Sequence, residues 1–257
     1  MMPKFFVISD IHSAYTPMIK ALNEAGFDEN NHNHKIILCG DLFDRKDESL
    51  KVYDWAVDMI NKNKLIYIKG NHEDMFVHAA RAIMDILIEQ DRDVLEWCNE
   101  RGIQDLIYSA YYNDAVALHL NNGGFYTLYE WLANGASMTI VNAIDKLPTC
   151  VEFVNNKGEK ITFCHAGTLN KEKDNIDSRI WSRDHFFEKW DDGILIHGHT
   201  PCQHLVKRLG QRGRSEMVCP VWYCDNTKID MDTGCFSTNI IYLMDIDSRE
   251  MIKFSAE

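Results

Sequence analysis

Six side chains suited to binding metal stand directly behind five apolar runs. Asp10 and His12 follow "FFVIS", Asp41 follows "KIILCG", Asn71 follows "LIYIKG", His165 follows "KITFC" and His199 follows "ILIHG". Asp44 and His72 sit in the same handovers. The stretch "KGNHED" at 69–74 shows why this is unusual. Gly70 and Asn71 suit a turn, since both tolerate positive φ, but a turn does not call for His72 and Glu73 next. Oxygen and imidazole donors without a thiolate suit manganese, iron or zinc. The set is too large for one catalytic zinc, which takes three protein ligands. It suits two divalent metals sharing a bridging carboxylate, an arrangement that clamps a phosphoryl group and activates water.

The elements that must position these residues follow from the apolar pattern. Runs rich in β-branched and aromatic residues predict strands at "FFVIS", "KIILC", "LIYI", "CVEFV", "KITFC", "ILIHG" and "NIIYLMDI". Between the first three, "YTPMIKALNEAGF" predicts a helix with Thr16 as cap, Pro17 at its first position, Met18, Ala21, Leu22 and Ala25 on one face, and Gly26 at its end. "ESLKVYDWAVDMINKN" predicts a second, with Leu50, Tyr53, Val57 and Ile60 repeating at helical spacing. Strand alternating with helix predicts an α/β layered fold with the ligand residues at the carboxyl ends of strands, where sites assemble in such folds. From about 74 to 146 the pattern turns helical with no Pro/Gly/Ser-rich linker at either side. It reads as a helical insertion within a single domain spanning 1–257. "CVEFVNNKGEKITFC" reads as a hairpin turning at "NNKG".

Composition narrows the partners. A net charge of −12 argues against a protein that grips a nucleic-acid backbone, yet leaves room for a local positive pocket around a phosphate. No apolar stretch approaches the roughly 20 residues that span a bilayer, so no membrane association is expected. The "MMPKFFVISD" start has too short an apolar run for a signal peptide. The eight cysteines form no CxxC pair and several sit inside apolar runs, as reduced, mostly buried thiols of a cytoplasmic protein would. Composition says nothing about oligomeric state.

Five motifs in order, "DIH" (10–12), "GDLFDR" (40–45), "GNHE" (70–73), "HAG" (165–167) and "HGHTP" (197–201), resemble the phosphoprotein phosphatase family of calcineurin-like metallophosphoesterases. The resemblance is to its compact bacterial and bacteriophage serine/threonine phosphatase branch and runs from about residue 4 to "DTG" at 232–234. It implies central mixed β-sheets packed as a sandwich and flanked by helices. It further implies that Asp10 and His12 bind the first metal, that Asp41 bridges both, and that Asn71, His165 and His199 complete the second. Manganese is the expected metal, with iron or zinc as alternatives. His72 would protonate the leaving oxygen with Asp44 holding its imidazole, and Arg45 and Arg183 would clamp the phosphate. The implied reaction is direct attack of a metal-bridging hydroxide on a phosphorylated protein or small phosphoester.

The chain departs from the family pattern at Ser13 and Lys46, where glycine is usual. Ser13 is tolerable if its φ is ordinary, whereas Lys46 would put a cation beside the phosphate clamp. A sister branch, the symmetrical dinucleoside tetraphosphate hydrolases, resembles "GDLVARG" at the second motif, where this chain has Asp44 in place of that alanine; it is the rival reading. A non-catalytic scaffold would require lost ligands, and none is lost. His197, two residues before His199, reads as a supporting neighbour of the site, with ligation the alternative. "HNH" at 32–34 reads as a solvated loop. Lys207, Arg208, Arg212 and Arg214 are expected on a hairpin near the site. The aromatic residues of the insertion are expected in core packing, with part of them available as a lid or partner surface.

Overall fold

The computed structural model describes residues 3–167, 176–184, 186–210 and 218–255. Its opening alternates as the pattern requires: β1 (Lys4–Ile8), α1 (Tyr15–Glu24), β2 (His34–Leu38), α2 (Ser49–Asn61) and β3 (Leu65–Tyr67). α3 (Asn71–Glu89), α4 (Val94–Arg101), α5 (Ile103–Ser109), α6 (Asp114–Asn121), α7 (Phe125–Ala133) and α8 (Met138–Asp145) form the helical insertion. The hairpin β4 (Cys150–Val154) and β5 (Lys160–Cys164) follows, then α9 (Ile176–Ile180), β6 (Ile194–His197), α10 (Cys202–Arg208), β7 (Val221–Tyr223), β8 (Lys228–Asp230), α11 (Cys235–Thr238), β9 (Ile240–Asp245) and β10 (Met251–Ser255).

The strands build two mixed sheets, ordered β10-β9-β1-β2-β3 and β4-β5-β6-β8-β7. β1, β2 and β3 run parallel, as do β5, β6 and β8. Alternation along β1 explains why its run reads as continuously apolar. Phe5 and Val7 pack with Ile161, Phe163 and Ile196 of the other sheet, while Phe6 and Ile8 pack under the helices with Met18, Leu38 and Phe76. A strand covered on both faces has no polar side to show. The helix-side cluster continues without a break from α1 and α2 into Trp97, Leu106, Leu128 and Trp131 of the insertion. Among the described residues no helix is long and apolar enough to cross a membrane.

Several local expectations need correction. α1 starts at Tyr15 with Ala14 at its cap, so Thr16 does not cap it and Pro17 is its third residue. The carboxylate of Glu48 approaches the Thr16 amide at 3.5 Å, so the helix start is served from another loop. α2 buries Ser49, Val52, Ala56 and Met59, not the stripe named from the sequence, and Ile60 is exposed. Lys207 and Arg208 lie on the last turn of α10 and not on a hairpin, while Arg212 and Arg214 fall outside the described residues. Cys39, Cys164, Cys202 and Cys235 are buried and the other four cysteines half-buried.

Candidate metal centre

Three loops at the carboxyl ends of β1, β2 and β3 meet two from β5 and β6. Their backbones are bent into conformations side chains rarely adopt: Asp10, His12, Ser13, Asp41, Asp44, Arg45 and His199 all have φ between 48° and 72°. Such left-handed residues cost about 1–3 kcal/mol each and cluster where surrounding structure fixes them for a purpose. Ser13, at φ 58°, is therefore not in the ordinary conformation expected. Its amide donates to Leu42 O (2.7 Å) and its buried hydroxyl meets Ser49 Oγ (2.7 Å), which holds the turn without a glycine. Lys46 is not among the positive-φ residues, so glycine is not required there. Its ammonium donates to Asn239 Oδ1 (3.1 Å).

Glu73 answers the question raised by "KGNHED". On the first turn of α3, its carboxylate accepts the amides of Gly70 (2.7 Å), Asp41 (2.9 Å) and Leu42 (2.8 Å), tying the β2 and β3 loops together. Gly70 is needed because a Cβ there would stand 2.2 Å from Asp41 Oδ1. Asn71 and His72 open α3, and the His72 amide donates to Asp41 Oδ1 (3.1 Å).

Two groups of donors form. Ligand atoms of His12, Asp41 and His72, and again of Asp41, His165 and His199, lie within 4.8 Å of one another, so Asp41 belongs to both groups, while His72 stands in the first group and Asp10, expected there, in neither. Asn71 Oδ1 is 2.9 Å from both His165 Nε2 and His199 Nδ1. Asp10 borders the same pocket and accepts the His199 amide at 3.1 and 3.2 Å, as well as the Ser9 hydroxyl. A Cβ on Gly198 would lie 1.9 Å from Asp10 Oδ2, so glycine alone allows this approach.

Whether the pocket fits divalent metals is decided by its donors. His12 Nδ1 meets Phe43 O (2.9 Å), His165 Nδ1 meets Cys39 O (2.7 Å) and His199 Nε2 meets Trp181 O (3.1 Å). A carbonyl only accepts, so the outward nitrogen of each ring donates, and in a neutral ring the inward nitrogen then presents a lone pair, as a metal ligand must. Neutral rings and the Asp41 carboxylate are acceptors facing acceptors, an arrangement a cation relieves. Burial, followed by repulsion from Asp232 and Asp41, raises Asp10 well above the carboxylate range; burial also lifts Asp232 to about 6. Burial and His72 hold His12 down to about 3, a neutral ligand. His165 is driven the other way. Burial would lower it, but Asp41 outweighs burial and raises it to about 10, so a metal would compete with that proton. The residues fit two cations.

Beside this set, His72 is buried with Nδ1 2.6 Å from Asp44 Oδ2 and Nε2 3.2 Å from Arg45 Nη2. Burial opposes its charge, but Asp41 and Asp44 outweigh burial and raise it. Asp44 is held well below the carboxylate range, burial being outweighed by His119 and His72. Arg45 is stacked on Phe236, its Cζ 4.1 Å from the ring centroid. Arg183 donates to Thr200 Oγ1 (2.9 Å) and His199 O (3.2 Å). A pocket of about 150 Å³ is lined by Asp10, His12, Asp41, Arg45, Asn71, His72, Asn122, Trp181, Arg183, His199, Pro201 and Asp232. Of these, Asn122 and Trp181 were missed from the sequence, as were Phe236 and His119 nearby; none lies in a motif. Asp232 stands in the "DTG" that closes the resemblance. His197 has both nitrogens occupied, by Tyr223 Oη (2.7 Å) and Gly198 O (2.9 Å). His32 and Asn33 of the "HNH" stretch are exposed and His34 is half-buried.

Residues 3–231 match the sequence model of the calcineurin-like phosphoesterases. A protein of Anoxybacillus flavithermus named bis(5'-nucleosyl)-tetraphosphatase PrpE [asymmetrical] is 22% identical over 242 residues, covering 89% of this chain and 84% of its own. Among solved structures, one provisionally described as a diadenosine tetraphosphatase superposes with a TM-score of 0.58 at 11% identity, covering all of this chain and 95% of its own. The cold-active protein-tyrosine phosphatase of a Shewanella species superposes with a TM-score of 0.55 at 14% identity, over 98% of this chain and 78% of its own. At such identities the superpositions speak for the fold alone. The sequence match covers most of the chain, from β1 to β8, and on that ground the chain belongs to the calcineurin-like phosphoesterase family.

Proposed function

We propose that the site hydrolyses phosphomonoesters with alkoxide leaving groups, as a serine/threonine protein phosphatase does, using two divalent metals of which manganese is the first candidate. The observation that carries this reading is the buried His72–Asp44 pair at 2.6 Å. An alkoxide leaving from serine or threonine is strongly basic and gains from a proton delivered as it departs. A nucleotide leaving through its phosphate is already stable as an anion and gains little. Asp10, His12, Asp41, Asn71, His165 and His199 would hold the metals, which when bound supply activated water and neutralise the phosphoryl charge.

The chain's own groups do the rest. Arg45 and Arg183 border the pocket and would fork onto phosphate oxygens. Arg45 Nη2 rests 3.2 Å from His72 Nε2, so this nitrogen is engaged before substrate arrives. A phosphate competes for the guanidinium and frees Nε2. Nε2 then takes up a proton from solvent, because Asp41 and Asp44 favour the charged ring, and His72 donates that proton to the leaving oxygen while its Nδ1–H stays hydrogen-bonded to Asp44.

A second reading has its own support. The Anoxybacillus relative, aligned over 84% of its length, is named for asymmetrical cleavage of bis(5'-nucleosyl) tetraphosphates, whereas the sequence motifs suggested the symmetrical type as the rival. Metal-stripped protein, with and without added manganese, is given a phosphoserine peptide and diadenosine tetraphosphate in parallel, and phosphate and nucleotides are measured. Manganese-dependent turnover of the peptide well above that of the nucleotide is expected; the reverse order replaces the first reading with the second.

A further inference from the structure

Asp44 is held from outside its own loop. Both its oxygens accept from His119 Nε2 at 2.9 Å, and Oδ1 also accepts from Thr127 Oγ1 at 2.5 Å. Both partners belong to the helical insertion, His119 on α6 and Thr127 on α7. His119 is fully buried, and its Nδ1 has no partner among the described residues. An orphaned buried nitrogen is costly, so a role at Nε2 has to account for the ring's presence. The backbone is fitted to that ring: a Cβ on Gly124 would stand 2.3 Å from His119 Cδ2 and Nε2.

The hydroxyls run in one direction. An ionised carboxylate only accepts, so Thr127 donates to Asp44, Ser49 Oγ must donate to Thr127 Oγ1 (2.8 Å), and Ser13 Oγ must donate to Ser49 (2.7 Å). The same segment braces the backbone on either side. Asp44 and Arg45 are left-handed at φ 72° and 70°, and Gly123 O accepts the Arg45 amide at 2.9 Å.

We propose that the helical insertion is the positioning device of the proton donor: His119 and Thr127 fix the Asp44 carboxylate so that Oδ2 orients His72. The sequence offers no sign of this, because the contacts to Asp44 span 75 and 83 residues. The proposal rests on the reading of His72 as general acid.

The test compares a phosphoserine peptide with p-nitrophenyl phosphate, whose phenolate departs without a proton, on manganese-loaded wild type, His119→Ala, His119→Gln, Thr127→Val and His72→Asn. His119→Ala is expected to lower kcat on the peptide about 10- to 100-fold, as loss of an orienting partner does, with less than about threefold loss on the nitrophenyl ester. His119→Gln, which keeps a donor toward Asp44, is expected to recover most of it. Equal losses on both substrates, or no loss, overturn the proposal while leaving His72 as acid, provided His72→Asn shows the selective loss. If His119→Ala does not fold, Thr127→Val is read by the same comparison. If His72→Asn is not selective, or wild type cleaves neither ester, the acid reading and the proposal fall together.

Discussion

His72 gives its two ring nitrogens different work, and the surroundings decide which is which. Nδ1 is committed to a carboxylate that itself has three further hydrogen bonds, while Nε2 faces Arg45 and the pocket. On this account His72→Asn lowers kcat on a phosphoserine peptide by about 10²- to 10⁴-fold while bound metal, measured by elemental analysis, stays at the wild-type level. Loss of metal along with turnover would make His72 a ligand instead, for which it lies within reach. Gly70→Ala carries the opposite expectation. Its Cβ would meet Asp41 Oδ1 at 2.2 Å and the Asp41 amide at 2.6 Å, so metal content falls first and activity with it. Residues of this kind were legible in the sequence because each ligand follows its own strand within a few positions. His119 and Phe236 were not, because what defines them is a contact made across the fold.

At the scale of elements, the insertion is docked by charge as well as by its apolar face. Asp145 at the end of α8 pairs with Lys69 Nζ (3.0 Å) and Arg81 Nη2 (2.8 Å), and the Lys69 side chain is only 2% exposed. Asp145→Asn leaves that ammonium short of its partner and is expected to cost about 1–3 kcal/mol in urea unfolding at neutral pH. The Arg81 hydrogen bond, opposed by burial and aided by Lys69, holds Asp145 below its ordinary value of 3.8. A depressed carboxylate stabilises fully above its unfolded value and loses that contribution as pH falls through the folded one. The stability difference between wild type and Asp145→Asn should therefore shrink as the pH drops below 3.8, and a difference independent of pH would dismiss the ion pair as its origin. Periodicity found all seven strands it named and the helical character of the stretch from about 74 to 146. It named a stripe on α2 other than the buried one, where small residues such as Ser49 and Ala56 face inward and hydropathy alone prefers Leu50 and Ile60. It missed β10, and also β7 and β8, which at three residues each are too short to show alternation.

For the whole molecule, the sandwich is what brings distant loops to one place. Parallel β1–β3 and parallel β5–β6 end at the same edge, so ligands from residue 10 to residue 199 meet around a pocket of about 150 Å³. The chain is acidic overall at −12, yet two guanidinium groups, Arg45 and Arg183, line that pocket alongside Asp10, Asp41 and Asp232. Asp41, shared by both donor groups, is the carboxylate proposed to join two metal positions. The most direct test of that role is manganese binding to metal-stripped protein, counted per chain and followed by electron paramagnetic resonance alongside phosphate release. Two ions per chain with the spectrum of an exchange-coupled pair, and turnover that appears only as the second ion binds, is the expected result. A single uncoupled ion supporting full activity, or activity in stripped protein that manganese leaves unchanged, would contradict it.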